Sequence, residues 1–346
     1  MLRFGMGNVG LLVAATLMLL MSSLGCGRSR HSGPAWTDQD VPEELVSFPH
    51  AASCPANLAV DDRDIFWIGT GGDGELGVWS APKAGGGALR LAVLRAPAAK
   101  GPPYVIAVGE DAAYFAGADA DGLRQVLVVD KSGGEPKVVA PFGAVGLLAD
   151  PSVLFIAAAG AEPPGIYAVT AEDAEPFHVA GTEAGVNREL AMTATHLYWT
   201  SGSNLLRVPR TGGSSSIVHD SVAAYPGVLA VDSGDIYWAD RDGWLKRAPV
   251  EGGTPTLLAE FSAESLEARR GAAFGIGSLR GVKGILRASP AEGAEFVRGA
   301  FASGALALDD AFAYFARCEF DCLIDGDPAD CADYEYNVTL VRVPQR

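Results

Sequence analysis

The stretch from Leu229 to Leu258 contains one complete copy of a unit that repeats along this chain. Short apolar runs alternate there with turn sequences, namely Asp232-Ser-Gly-Asp235, Asp242-Gly243 and Gly252-Gly253. Asp-Gly between two apolar runs is a strong hairpin signal, and paired glycines supply the positive φ angles that tight turns require. The stretch is therefore predicted to form four short antiparallel strands joined by three tight turns.

The second strand of this unit marks the other copies. Its residue pair recurs at Phe66-Trp67, Tyr114-Phe115, Leu154-Phe155, Tyr198-Trp199, Tyr237-Trp238, Phe274-Gly275 and Tyr314-Phe315, at intervals of 37 to 48 residues. A sheet of four strands cannot cover its own faces, so neighbouring units have to stack. A period near forty with four strands per unit is typical of a β-propeller. An all-β propeller is predicted, with the repeated aromatic side chains in the core between blades.

The two ends of the chain predict how the ring closes. The last unit ends at Arg346 after its third strand, whereas the segment from Glu44 to Ala52 precedes the first unit and resembles a fourth strand. We predict that this N-terminal segment completes the last blade, which would remove the exposed edges of an open ring. The count is then seven four-stranded blades. Six is the alternative, because the unit from Leu266 to Val297 matches the repeat least well.

Two of the units carry a recognisable motif. Tyr198-Trp-Thr and Tyr237-Trp-Ala-Asp, each followed by a Leu-x-Arg third strand, resemble the YWTD-type propeller repeat. The resemblance covers residues 44–346 as architecture, and we predict a single propeller domain over this range. That family usually has six blades, so seven would be a departure from it. Its members are mainly binding modules, which implies a binding role but does not identify a ligand.

Composition restricts the partners. The chain has 346 residues, of which 49% are hydrophobic, and a formal net charge of −16. The apolar content supports a large core. The excess of acidic over basic residues argues against binding to nucleic acid, and against a basic surface that docks on anionic lipid. We expect no nucleic-acid partner, and contact with a membrane only through a lipid anchor.

Residues 1–25 have the pattern of an export signal. An apolar run, Val9–Met21, is too short for a comfortable membrane span and leads into Ser22-Ser-Leu-Gly-Cys26. Small residues ending in cysteine resemble a bacterial lipobox, which implies lipidation of Cys26; ordinary cleavage at Ser23-x-Gly25 is the alternative. Gly27 after the cysteine, by resemblance to Gram-negative sorting, implies the outer membrane. Residues 26–43 are predicted to be a flexible tether.

Four cysteines remain in the exported part of the chain. Cys54 precedes the first blade, and Cys318, Cys322 and Cys331 fall in the last blade. These blades are neighbours in a closed ring, so a bridge from Cys54 would lock the closure and the other two cysteines would pin an insertion. Three pairings are open at this point. A metal site is the alternative, but the spacings Cys-x3-Cys and Cys-x8-Cys fit no common zinc pattern.

The insertion from Arg317 to Tyr336 separates the second and third strands of the last blade and is rich in aspartate. Asp325, Asp327 and Asp330 lie close enough in sequence to offer several oxygen ligands to Ca²⁺, the one cofactor that the sequence suggests. The spacing departs from that of a calcium loop, and the glycine and terminal glutamate of an EF-hand are missing. A solvated acidic loop is the competing interpretation.

The loops that enter the first strands are predicted to form the mouth of the central channel. They carry Asn57, Tyr104, Arg188 and Glu189, and Glu267 takes a first-strand position that is alanine in five other units. Propeller enzymes such as lactonases hold a metal at this mouth with Asn, Asp and Glu. By that resemblance, Asn57, Glu189 and Glu267 would form a metal site if they converge. A degenerate blade is the other explanation of Glu267.

Two functions follow from these observations. The sequence has no GxSxG, HExxH or Walker motif. This favours a non-catalytic cell-envelope lipoprotein whose mouth loops and acidic insertion bind a protein or a glycan. The alternative is a metal-dependent hydrolase or lyase of the propeller type, with its site at the channel mouth.

Overall fold

The computed structural model describes residues 42–51, 54–55, 57–71, 73, 75–94, 105–118, 123–170, 175–182, 190–220, 224–232, 234–240, 242–298, 301–322 and 334–345. Across these ranges the regular structure consists of 28 strands, which form seven antiparallel sheets of four. No helix long and apolar enough to cross a membrane occurs among the residues described.

The strands follow one another in chain order, and only the first is out of place. β1 (Glu43–Ala51) belongs to the last sheet. Blade 1 contains β2 (Leu58–Val60), β3 (Asp64–Thr70), β4 (Leu76–Pro82) and β5 (Leu89–Val93). Blade 2 contains β6 (Ile106–Val108), β7 (Ala112–Ala118), β8 (Arg124–Asp130) and β9 (Lys137–Ala140). Blade 3 contains β10 (Gly143–Ala149), β11 (Val153–Ala159), β12 (Gly165–Thr170) and β13 (Phe177–Gly181).

The second half of the ring continues the pattern. Blade 4 contains β14 (Leu190–Met192), β15 (His196–Ser201), β16 (Asn204–Pro209) and β17 (Ser216–His219). Blade 5 contains β18 (Ala224–Asp232), β19 (Asp235–Asp240), β20 (Trp244–Pro249) and β21 (Thr256–Glu260). Blade 6 contains β22 (Ser262–Arg269), β23 (Ala272–Leu279), β24 (Val282–Ser289) and β25 (Gly293–Arg298). Blade 7 contains β26 (Phe301–Leu308), β27 (Phe312–Cys322) and β28 (Tyr334–Pro344), together with β1.

This connectivity gives the ring two sides. We call the side with the turns between first and second strands, and between third and fourth strands, the turn side. The other side, where the chain enters each first strand and passes from the second strand to the third, is the entry side. The predicted channel mouth lies on the entry side.

The N-terminal strand closes the ring. The strand order of the last sheet is β1-β28-β27-β26, so β1 is its fourth strand, with Glu43 opposite Arg342 and Ser47 opposite Thr339. The predicted closure and the count of seven blades are confirmed. The weakly matching sixth unit forms a complete four-stranded blade, so the alternative count of six is wrong.

The core lies between blades rather than within them. The described residues form seven apolar clusters, and each cluster joins two neighbouring blades. One of them packs Leu58 and Trp67 of blade 1 against Tyr314 of blade 7, across the closure. Trp67, Trp199 and Trp238 are each at most 2% exposed, which confirms the prediction that the repeated aromatic position is core.

A disulfide crosses the same closure. Cys54, just before β2, is bonded to Cys318 on β27, with 6.2 Å between their Cα atoms. The prediction that Cys54 bridges to the last blade is therefore confirmed, and the structure selects Cys318 from the three candidates. Cys331 and the side chain of Cys322 lie outside the described part of the chain.

The fourth strand carries a bulge in every blade except blade 6, and at blades 1 and 7 the bulge receives the next blade. In β5 the bulged residue is Leu91, which has no partner in the register with β4. Its carbonyl oxygen accepts a hydrogen bond of 3.0 Å from the backbone N–H of Gly134 in blade 2. A Cβ atom on Gly133 would lie 3.3 Å from that oxygen, so the close approach favours glycine there. On β1 the skipped residue is Leu45, and its carbonyl accepts from the N–H of Gly86 in blade 1. The N-terminal strand thus reproduces the fourth-strand geometry in detail.

A second repeated contact is an ion pair on the turn side. The cation that follows a third strand meets an aspartate in the first turn of the preceding blade, as in Lys83–Asp309 (2.5 Å), Lys131–Asp61 (2.6 Å) and Arg210–Asp150. Asp309 uses its other carboxylate oxygen to accept from the backbone N–H groups of Ala311 and Phe312. The Lys83 ammonium also lies 5.2 Å from the centre of the Tyr314 ring. We call this arrangement the turn-side ion pair.

Loss of the disulfide should weaken the closed ring. Cys54 and Cys318 are 264 residues apart in sequence, and a cross-link that closes a long loop restricts the unfolded chain strongly. We expect the double variant Cys54→Ser/Cys318→Ser to lose about 2 to 4 kcal/mol of unfolding free energy, measured by urea denaturation. Equal stability of this variant and the oxidised wild type would contradict the assignment.

The turn-side ion pair at the closure should make stability sensitive to acid. Partial burial acts to raise the pKa of Asp309, but hydrogen bonds from Lys83, Tyr314, Ala311 and Phe312 outweigh it and lower the pKa to about 2. Because this value lies below the ordinary 3.8, the stabilisation is complete above about pH 4 and is lost as the pH falls toward about 2.

Asp309→Asn should therefore cost about 1 kcal/mol at neutral pH, after allowance for solvent screening, and the cost should shrink in acid. Urea denaturation at several pH values measures both effects. The matched control is Asp310→Asn, the neighbouring carboxylate, whose side chain is 75% exposed. A cost for Asp309→Asn that did not change with pH would argue against the ion pair.

Candidate functional site

The structure describes two of the five side chains predicted at the channel mouth. Asn57 is half-buried in the segment that enters β2, and Glu267 lies on β22. Tyr104, Arg188 and Glu189 lie outside the described ranges, as do the predicted lipid attachment site Cys26 and the calcium candidates Asp325, Asp327 and Asp330. Those assignments stay predictions.

Glu267 occupies the position that the repeat predicts. It stands opposite Phe274 on the second strand of blade 6. The equivalent pairs elsewhere are Ala59–Phe66, Ala107–Tyr114, Ala191–Tyr198, Ala230–Tyr237 and Ala307–Tyr314, and blade 3 has Leu148 opposite Phe155. First strands of neighbouring blades contact one another around the axis, so Glu267 replaces a small apolar side chain at the wall of the central channel.

The surroundings of Glu267 disfavour its charge. The side chain is exposed on the first strand of blade 6, and the protein packed around it still keeps the carboxyl group from full hydration. This desolvation raises the pKa of Glu267 to about 7, although the positive charge of Arg269 two residues away acts in the opposite direction. A carboxyl group with this pKa is partly protonated at neutral pH, so it can both donate and accept a hydrogen bond.

A metal site at the mouth is not assembled from the residues described. Within the described part of the chain, no group of three or more His, Cys, Asp or Glu side chains is placed to hold a metal ion. Asn57 belongs to blade 1 and Glu267 to blade 6, and these blades are not neighbours in the ring. The third predicted ligand, Glu189, lies outside the described ranges, so the convergence of all three stays a prediction.

A large depression on the turn side was not predicted from the sequence. It has a volume of about 820 Å³ and is formed by turns of four successive blades, 4 to 7. Its polar lining includes Thr193, Thr195, Tyr198, Asp232, Asp235, Glu251, Arg269, Arg270 and Asp310. We call it the turn-side cavity. One signal was present in the sequence: Thr193 takes the first-turn position of Asp61, Asp150 and Asp309, and Val250 takes the position of Lys83, Lys131 and Arg210 after the third strand.

Comparison with known proteins supports the fold and does not identify a family. No protein-family model matches the chain, and no curated protein matches it. Among solved structures, U3-55K has a TM-score of 0.59 at 11% identity, covering 87% of this chain and all of that one. A structure of YCF48 bound to a D1 peptide has the same TM-score and identity, covering 91% of this chain and all of the other.

A computationally designed protein, Ika8, also matches, with a TM-score of 0.54, 12% identity and coverage of 88% of this chain and 100% of its own. Sequence identities this low show a common fold and nothing more. The resemblance to YWTD-type repeats is therefore supported as far as the propeller architecture, and this chain is a seven-bladed β-propeller.

The ionisation of Glu267 should appear in the pH dependence of stability. Its folded pKa lies above the ordinary 4.5, so the carboxyl group destabilises the fold as the pH rises through about 7. We expect Glu267→Gln to match wild type in acid and to exceed it in unfolding free energy above neutral pH. The matched control is Glu264→Gln on the same strand, whose carboxylate pairs with Lys283. The same pH dependence in wild type and Glu267→Gln would contradict the account of Glu267.

Proposed function

We propose that this protein is a non-catalytic binding scaffold of the bacterial cell envelope, anchored by a lipid on Cys26, that recognises a protein or a glycan. The observation that carries the proposal is the turn-side cavity, which four blades of a closed ring build together. Cavities of about 300 to 1,000 Å³ with a few convergent polar groups are the usual form of a ligand site.

The rigidity of the ring supports a binding role. Strand pairing, the disulfide and the turn-side ion pairs hold the blades, so the turns that line the cavity are fixed before a ligand arrives. Preorganisation of this kind lowers the entropic cost of binding. A structure with the same fold, YCF48, contains a bound D1 peptide, which is consistent with a propeller acting as a binding scaffold.

The disulfide also supports export. Stable disulfides persist in oxidising compartments and are rare in the cytosol of most organisms. The Cys54–Cys318 bridge joins the first blade to the last, so its formation would accompany folding outside the cytoplasm. Together with the lipobox-like Ser22-Ser-Leu-Gly-Cys26, this favours an outer-membrane lipoprotein.

A second candidate, a metal-dependent hydrolase or lyase, is favoured by Glu267 alone. A carboxyl group whose pKa is near 7 in a channel wall has the proton affinity that general acid–base catalysis at neutral pH requires. Metal-dependent turnover of a small substrate that is abolished by Glu267→Gln would select this function over the scaffold.

Membrane fractionation tests the proposed anchor. We expect the full chain, expressed in a Gram-negative host, to sediment with the outer membrane and to carry acyl chains on an N-terminal Cys26, seen by mass spectrometry. The Cys26→Ser variant should accumulate in the periplasm as a soluble protein, because one lipid chain contributes about 0.8 kcal/mol per buried methylene to membrane binding and the variant has none. Recovery of both proteins in the soluble fraction would refute the anchor.

A further inference from the structure

The turn-side cavity includes the interface between blades 4 and 5, one of those at which the turn-side ion pair does not form. Between blades 4 and 5, Thr193 replaces the aspartate of the turn-side ion pair and Val250 replaces the cation. The hydroxyl oxygen of Thr193 still accepts a hydrogen bond of 3.1 Å from the backbone N–H of His196, as the aspartates do in their own turns. Thr193 has no second side-chain oxygen to reach the next blade, and both residues line the cavity.

Three of the four carboxylates that line the cavity are paired with arginines, and the fourth, Asp232, accepts from the backbone N–H of Gly271. Glu251 accepts from Arg207 at 2.7 Å and Asp235 accepts from Arg247 at 2.7 Å. Asp310 accepts from Arg269 at 2.5 Å. The lining itself contains four carboxylates and two arginines, and it is the contacting guanidinium groups of Arg207 and Arg247 behind it that bring the local charges close to balance, although the whole chain carries a net charge of −16. The hydroxyl groups of Thr193 and Thr195 add donors and acceptors to the same lining, whereas Tyr198 is only 1% exposed and serves as core.

This pattern of donors and acceptors favours one chemical class of ligand over others. A strongly charged ligand would be attracted to one member of each pair and repelled by the other. A neutral hydroxyl group both donates and accepts, so it can bond a carboxylate and a guanidinium that lie side by side, as Asp310 and Arg269 do in the lining. Hydrogen bonds to charged groups are stronger than those between neutral groups. We propose that the turn-side cavity is a binding site for a neutral saccharide. This inference rests on the proposed scaffold function and assigns its glycan ligand and its site.

Arg270 is the residue of the cavity best suited to a test. It lines the rim with a side chain that is 62% exposed, and its nearest guanidinium nitrogen is 3.9 Å from Asp310. Its φ angle is +54°, a conformation that glycine adopts without strain. Arg270→Gly therefore removes the guanidinium donors without a backbone penalty, and the fold should keep or gain thermal stability.

Blade 6 supplies a matched control. Arg280 has a φ angle of +50° and is also followed by glycine, but its turn joins β23 to β24 and so lies on the entry side. Its exposed ion pair with Glu260, at 3.2 Å, is of a kind that contributes little to stability. Arg280→Gly makes the same chemical change on the opposite side of the ring.

The experiment is calorimetry and saturation-transfer NMR on the folded, disulfide-bonded protein with glucose, N-acetylglucosamine, maltotriose and chitotriose. We expect at least one of these sugars to bind wild type and Arg280→Gly equally, and Arg270→Gly about tenfold more weakly. Glucosamine and glucuronic acid, which carry charges, should bind more weakly than their neutral counterparts.

Three results would overturn the inference: no sugar binds wild type, Arg270→Gly binds as well as wild type, or a charged sugar is preferred. If no sugar binds but a purified envelope protein does bind the propeller, the saccharide site is wrong and the scaffold function is still supported. Sugar binding that only Arg280→Gly weakens would place the site on the entry side and would also overturn this assignment.

Discussion

The pairing of β1 with β28 is the contact on which the rest of the ring depends. Each blade is a sheet with two apolar faces, and each face is covered only because a neighbour lies against it. The C-terminal end of the chain supplies three strands of the last blade, and the N-terminal end supplies the fourth. The first and the last described strands are therefore held in one sheet, and the bulge at Leu45 accepts a hydrogen bond from blade 1 as the bulge at Leu91 does from blade 2.

Departures from the repeat coincide with the candidate sites. Blade 6 pairs β24 with β25 without a bulge, and its first strand has Glu267 where other blades have a small or aliphatic residue. Blades 4 and 5 lack the turn-side ion pair at their interface, and the turn-side cavity opens there. Contacts that recur in several blades serve the ring as a whole. Thr193 and Val250 take no part in such an ion pair, and both line the turn-side cavity.

Much of the architecture could be predicted from short-range signals. The forty-residue period, the paired glycines and the aromatic second strands define a four-stranded unit, and the missing strand at the C-terminus requires a partner from elsewhere in the chain.

The choice of Cys318 as the partner of Cys54 could not be predicted, because it depends on Cα–Cα distances across the closure. The turn-side ion pairs were missed because an aspartate and a lysine up to 226 residues apart meet only when both turns lie on one side of the ring. The pKa of Glu267 likewise depends on how the folded protein around it desolvates the carboxyl group. The other predicted mouth residues, Tyr104, Arg188 and Glu189, lie outside the described structure.

Native-state hydrogen exchange, followed by mass spectrometry on the oxidised protein, tests the central claim that β1 is an integral part of a closed ring. If the ring opens only as a unit, the amides of β1 that pair with β28 should exchange with the same free energy as those of the second strands in blades 1 to 5. Exchange of β1 at a much lower free energy, while the other blades stay protected, would show that the N-terminal strand is a loose attachment and would contradict the account.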